Sequence, residues 1–153
     1  MKRILFLLTV SIGLFVSCEG PAGRDGLDGL DASVYWFVKD YTINANQWQL
    51  VDGEDQLGSY YRASISIPEL DNDIYEGGNV FCYMYQRVNN VEVQTLLPFT
   101  VPYGESQGNY EHLWTETYAC DFSVGKVPFY VNCSDFLTSN RPPATTFRVV
   151  LNY

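Results

Sequence analysis

Cys18 is the side chain whose surroundings say most about chemistry. It closes the stretch Phe15-Val16-Ser17-Cys18, behind Lys2, Arg3 and an apolar run from Ile4 to Val16. A run of thirteen residues suits the core of an export signal and falls short of the about 20 that a spanning helix needs. A small residue before a cysteine is where a lipoprotein signal peptidase cuts. The acceptor must be a thiol, because the lipid is attached through a thioether. Phe15 stands where leucine is usual, so the box is a relaxed one. An ordinary cleaved signal and an uncleaved anchor are the alternatives.

Three further cysteines remain: Cys82, Cys120 and Cys133. An exported chain permits disulfides, and an odd count leaves at least one thiol free or paired between chains. Cys120 and Cys133 flank a hairpin and form the candidate disulfide. A two-residue turn near Gly125 would place Phe129 or Val131 opposite Cys120, so direct pairing with Cys133 needs a bulge or a longer loop. Cys82 could meet either one across the sheets, and buried free thiols behave as small apolar residues. No CxxC is present, which argues against redox catalysis and a zinc site.

His112 is the only histidine, so a catalytic triad or histidine-based metal site would have to use it. It sits between Tyr110 and Trp114 on the aromatic side of a strand pattern and reads as structural. Asp52, Glu54, Asp55, Asp71 and Asp73 fall in turns, where aspartate bonds locally. Asp25, Asp28 and Asp31 recur every three residues, which does not match an EF-hand loop. No catalytic, cofactor or metal residue is therefore expected, and the chain is expected not to be an enzyme.

The aromatics offer one binding chemistry. Twelve Tyr, nine Phe and three Trp stand in 153 residues. Trp36, Trp48 and Trp114 are candidates for stacking on sugar rings, with Tyr60, Tyr75, Tyr83, Tyr85 and Tyr130 beside them. The competing reading is that most of these are core. Both faces of "VYWFV" and "FCYMYQ" are apolar, so some of these side chains must be exposed, covered or in an interface.

The elements that would position them are strands. Tyr61, Ala63, Ile65 and Ile67 alternate with Arg62, Ser64 and Ser66, a period of two with one wet face. Residues 79–87 and 91–96 flank the turn signal Asn89-Asn90, as a hairpin would. Residues 97–104 are broken by Pro98 and Pro102 and read as an edge strand or loop. Residues 109–123 and 127–133 are strands around Gly125, and 145–153 closes the fold with Phe147, Val149 and Leu151 inward. Residues 69–78 read as a turn or one short helix. Seven or eight short strands without a convincing amphipathic helix predict an all-β antiparallel sandwich, immunoglobulin-like or jelly-roll-like, with a closed barrel as the alternative.

Glycine recurs at positions 20, 23, 26 and 29. That is the collagen period, but four triplets with one proline are few for a triple helix. The stretch reads as a tether, with a short trimeric stalk, and hence an oligomer, as the alternative. The organisation expected is a signal peptide over 1–17, a lipidated cysteine with its Gly-x-y tether over 18–32, and a β-sandwich over 33–153. Net charge is -9, and removing Lys2 and Arg3 leaves seven basic against eighteen acidic side chains, or -11. Such a surface argues against nucleic acid and against attraction to anionic headgroups, so lipid would hold the chain at the membrane.

The relaxed lipobox, "CEGPAGRDGLDGLDA", "YTINANQWQ" and "GKVPFYV…TTFRVVLNY" resemble the small collagen-like-stub lipoproteins of Bacteroidetes-type bacteria. The resemblance implies a lipid acceptor at Cys18, an all-β domain and a bacterial cell-envelope location, on the outer membrane by virtue of Glu19. It implies no activity. The expectation is a non-enzymatic structural or interaction protein, with an envelope protein or a glycan as partner.

Overall fold

The computed structural model describes residues 35–153, leaving out the side chain of Gln107. Cys18, the signal segment and the glycine repeat lie outside the described residues. Nine strands form two antiparallel sheets. They are β1 (Trp36–Ile43), β2 (Gln49–Val51), β3 (Tyr60–Ser66), β4 (Asn79–Val88), β5 (Val91–Leu96), β6 (Phe99–Gln107), β7 (Tyr110–Cys120), β8 (Lys126–Cys133) and β9 (Thr145–Asn152). The four-stranded sheet runs β1-β9-β4-β5 and the five-stranded sheet β2-β3-β8-β7-β6.

This is the β-sandwich that strand alternation predicts. The barrel alternative is corrected: the ladders stop at β1 and β5 in one sheet and at β2 and β6 in the other, so no pairing closes them. The proline-broken stretch forms the edge strand β6, where a missing N–H can face solvent. The short helix α1 (Asn72–Gly77) is capped by Asp71, whose carboxylate accepts from the Ile74 amide at 3.0 Å. Asn89 and Asn90 both take positive φ, 51° and 65°, the tight hairpin turn their sequence signals.

The inner faces supply one core. Val127, Phe129 and Val131 of β8 are buried, as are Phe147, Val149 and Leu151 of β9. Phe129 and Phe147 stack across the sheets with centroids 4.2 Å apart. Trp48 meets the edge of Phe147 at 6.2 Å, and its indole N–H donates to the Pro143 carbonyl at 3.3 Å. Trp48 lies between a one-turn 3-10 helix (Ala45–Gln47) and β2, so its burial pulls the chain off the sheet edge.

Two substitutions test this packing. Phe129→Ala removes a ring at the centre of both sheets and should cost about 3–5 kcal/mol in urea unfolding. Trp36→Ala, at an exposed position, should change stability by no more than about 0.5 kcal/mol.

Candidate functional site

Residues 107–110 decide where the aromatics go. Gln107 pairs with Tyr110, leaving Gly108 and Asn109 as a two-residue loop, and Gly108 supplies the positive φ of 63°. The resulting register sets Tyr103 opposite Trp114 and Glu105 opposite His112.

On β7, Tyr110, His112, Trp114, Glu116 and Tyr118 share one face, since strand side chains alternate. Tyr118 is in the core, whereas Tyr110 is 64% exposed. The inner face of the five-stranded sheet therefore continues past its cover and comes into solvent. Along it the rings form a row. Tyr103 and Trp114 stack at 5.5 Å with planes 17° apart. Trp114 and His112 follow at 5.1 Å, then His112 and Tyr110 at 6.4 Å.

The segment after β8 walls this row. The Asp135 carboxylate accepts from His112 Nε2–H at 2.7 Å, and both side chains are mostly covered. Ser134 ties to β7 twice: its amide donates to the Thr115 carbonyl and its hydroxyl accepts from the Thr115 amide, each at 2.9 Å. Farther on, Thr138 is buried, its carbonyl accepting from the Tyr61 hydroxyl and its amide donating to the Asp55 carboxylate. Together these contacts close a cavity of about 110 Å³ lined by Glu105, His112, Trp114, Glu116, Cys133, Asp135, Leu137, Ser139 and Asn140. Burial, reinforced by the Glu116 carboxylate, pushes the Tyr103 and Tyr118 hydroxyls up, so both remain donors at neutral pH.

The three tryptophans are not brought together. Trp48 is a core residue, 1% exposed, which removes it from any stacking surface. Trp36 is 59% exposed but stands on the four-stranded sheet. Only Trp114 belongs to the row. Tyr110 and His112 share its face as strand alternation predicts, whereas Tyr103 comes from the neighbouring strand and is the partner the sequence does not place; the Gly108-Asn109 loop is the signal that supplies it. Asp55 lies in a turn as expected, but its carboxylate bonds to Thr138 instead of locally.

No match to this chain was found among family models, curated proteins or solved structures. Geometry alone therefore speaks for the site. Its rings offer flat apolar faces, and its rim offers carboxylates, an amide and a hydroxyl. Among the described residues, no group of three or more His, Cys, Asp or Glu is placed to hold a metal ion, and no helix is long and apolar enough to cross a membrane.

The candidate Cys120–Cys133 disulfide is corrected by register. Phe129 lies opposite Cys120 and Glu116 opposite Cys133, four residues out of step. Cys120 instead meets Cys82 of β4 across the sandwich, and all three thiols are free. The contact with Cys120 and burial both push the Cys82 thiol up, while Cys120 accepts from it and is lowered. Burial and the charges of Glu116 and Asp135 push Cys133 up to about 11. A thiol raised on folding favours the folded state below its ordinary value of 9.0, and that contribution is lost as pH climbs towards 11. At pH 8, iodoacetamide should label Cys120 first and reach Cys82 and Cys133 only after unfolding. Equal labelling of all three by peptide mass mapping would contradict this arrangement.

Proposed function

We propose that this chain is a lipid-anchored protein of the bacterial cell envelope that works by binding, and that the aromatic row of β6 and β7 is its contact surface. The anchoring part rests on Cys18 and the apolar run before it. The binding part rests on one observation: Tyr103, Trp114, His112 and Tyr110 form a partly exposed row of neighbouring rings, with His112 tilted against Trp114, beside hydrogen-bonding groups.

A glycan is the ligand class this combination favours. Ring faces cover the C–H faces of sugars, while Glu105, Glu116, Ser139 and Asn140 can bond to hydroxyls. Glu105, Glu116 and Asp135 make the rim acidic, so the sugar is neutral or carries an amine. A cavity of about 110 Å³ takes an edge of a ring and leaves the rest on the open row.

Convergence of Glu105, Glu116 and Asp135 near His112 also favours a second reading, glycoside hydrolysis by a carboxylate pair. The two separate cleanly. Under the binding reading, cello- or chito-oligosaccharides are retained and recovered intact, whereas shortened products would establish hydrolysis.

Two outcomes follow for variants. Trp114→Ala should weaken oligosaccharide binding by calorimetry about tenfold, and Trp36→Ala should not. Palmitate labelling of the full chain in a bacterial host should vanish in Cys18→Ala, and labelling that survives would contradict the anchor.

A further inference from the structure

A second cavity lies away from the aromatic row, at the opposite edge of the five-stranded sheet. It measures about 540 Å³ and lies between β1 and β3, lined by Tyr41, Thr42, Ile43, Gln47, Gln49 and residues 62–65. Its origin is a missing length of strand. β3 runs from Tyr60 to Ser66, but β2 pairs only with Tyr60, Tyr61 and Arg62. Continuing that ladder would set Trp48 beside Ala63, yet Trp48 turns into the core and the residues before it coil into a 3-10 turn. Ala63, Ser64, Ile65 and Ser66 thus have β8 on one side and, among the described residues, no strand on the other.

Two kinds of group face this vacancy. Unpaired strand backbone is a template for another strand. The side chains lining it are mixed: Thr42, Gln47, Gln49, Arg62 and Ser64 are polar or basic, and Ile43, Ala63 and Ile65 are apolar. Arg62 leans on the Tyr130 ring at 5.9 Å and has no carboxylate within ion-pair distance among the described residues. Gln47 and Gln49 add amides. The Tyr41 hydroxyl is buried without a partner, and burial with the nearby Glu69 charge keeps it protonated. Glu69 also has a buried oxygen without a partner. Among the residues lining this edge Arg62 is the one cation, while the Glu69 carboxylate lies near Tyr41.

We propose that this cleft is a strand-addition site that takes an extended segment of a partner protein, laid along Ala63 to Ser66 with an acidic side chain against Arg62. Main-chain hydrogen bonds hold the segment, and Arg62 selects the acidic residue. This site is separate from the aromatic row and does not depend on the glycan reading.

The test uses the full chain in detergent micelles and the acetylated, amidated heptapeptide Thr-Val-Asp-Val-Thr-Val-Thr. Exchange of those amides of residues 63–66 that point away from β8, every second one, should slow at least about tenfold on saturation, because only these edge amides gain partners. Arg62→Ala, an exposed substitution, should weaken binding about five- to tenfold, and replacing the peptide's Asp by Lys should do the same. Of two peptides N-methylated on alternate amides, one per edge, one should lose binding and the other keep it. Equal binding of both would overturn the proposal, because side-chain capture alone would then explain the contact. So would protection of these amides before any peptide is added, which would mean that the chain fills its own edge. Protection by oligogalacturonate and not by the peptide would overturn it in favour of an acidic sugar.

Discussion

The stack of Phe129 on Phe147 joins the two sheets at the centre of the core, and both proposed contact surfaces depend on it. These rings come from β8 and β9, which are inner strands of their sheets. Trp48 completes the contact by setting its edge against Phe147. That one burial has two consequences. It carries the chain off the sheet edge, which leaves β3 half unpaired. It also holds the Pro143 carbonyl, which fixes the far end of the segment that walls the aromatic row. Tyr61 and Asp55 fix the middle of the same segment through Thr138. Core packing and surface chemistry are therefore linked through few residues.

Electrostatics divides the surface. The aromatic row is rimmed by Glu105, Glu116 and Asp135, while Arg62 lines the cleft at the opposite edge. The other strong charge contact, Arg148 with Asp40, lies on the outer face of the four-stranded sheet. It accepts a Tyr85 hydroxyl bond as well, and the Arg148 hydrogen bonds hold the Asp40 carboxyl below its usual range. Under the proposed functions the acidic row would take a neutral or amino sugar, and the Arg62 side of the cleft an acidic peptide.

Much of the fold was legible because strand alternation reports directly on burial. The inward sets Val127-Phe129-Val131 and Phe147-Val149-Leu151 are buried as their spacing demands. The Asn89-Asn90 turn was legible because few residues tolerate two successive positive φ values. The site was less so. Trp114 could be singled out by residue type, but Trp48 and Trp36 look the same in sequence, and only tertiary packing sends one to the core and the other to solvent. Tyr103 joins the row through a cross-strand pair, which depends on recognising Gly108-Asn109 as a two-residue loop. The open edge of β3 has no local signature at all. It exists because Trp48, remote in the fold's logic, prefers the core to the ladder.

Hydroxyl-radical footprinting of the full chain with a neutral chito-oligosaccharide tests the central claim most directly. Trp114, Tyr103 and Tyr110 should lose reactivity when the sugar binds, Trp36 should keep its reactivity, and Trp48 should stay unreactive throughout. Protection of Trp36 with no change at Trp114 would place the contact on the four-stranded sheet and contradict the account.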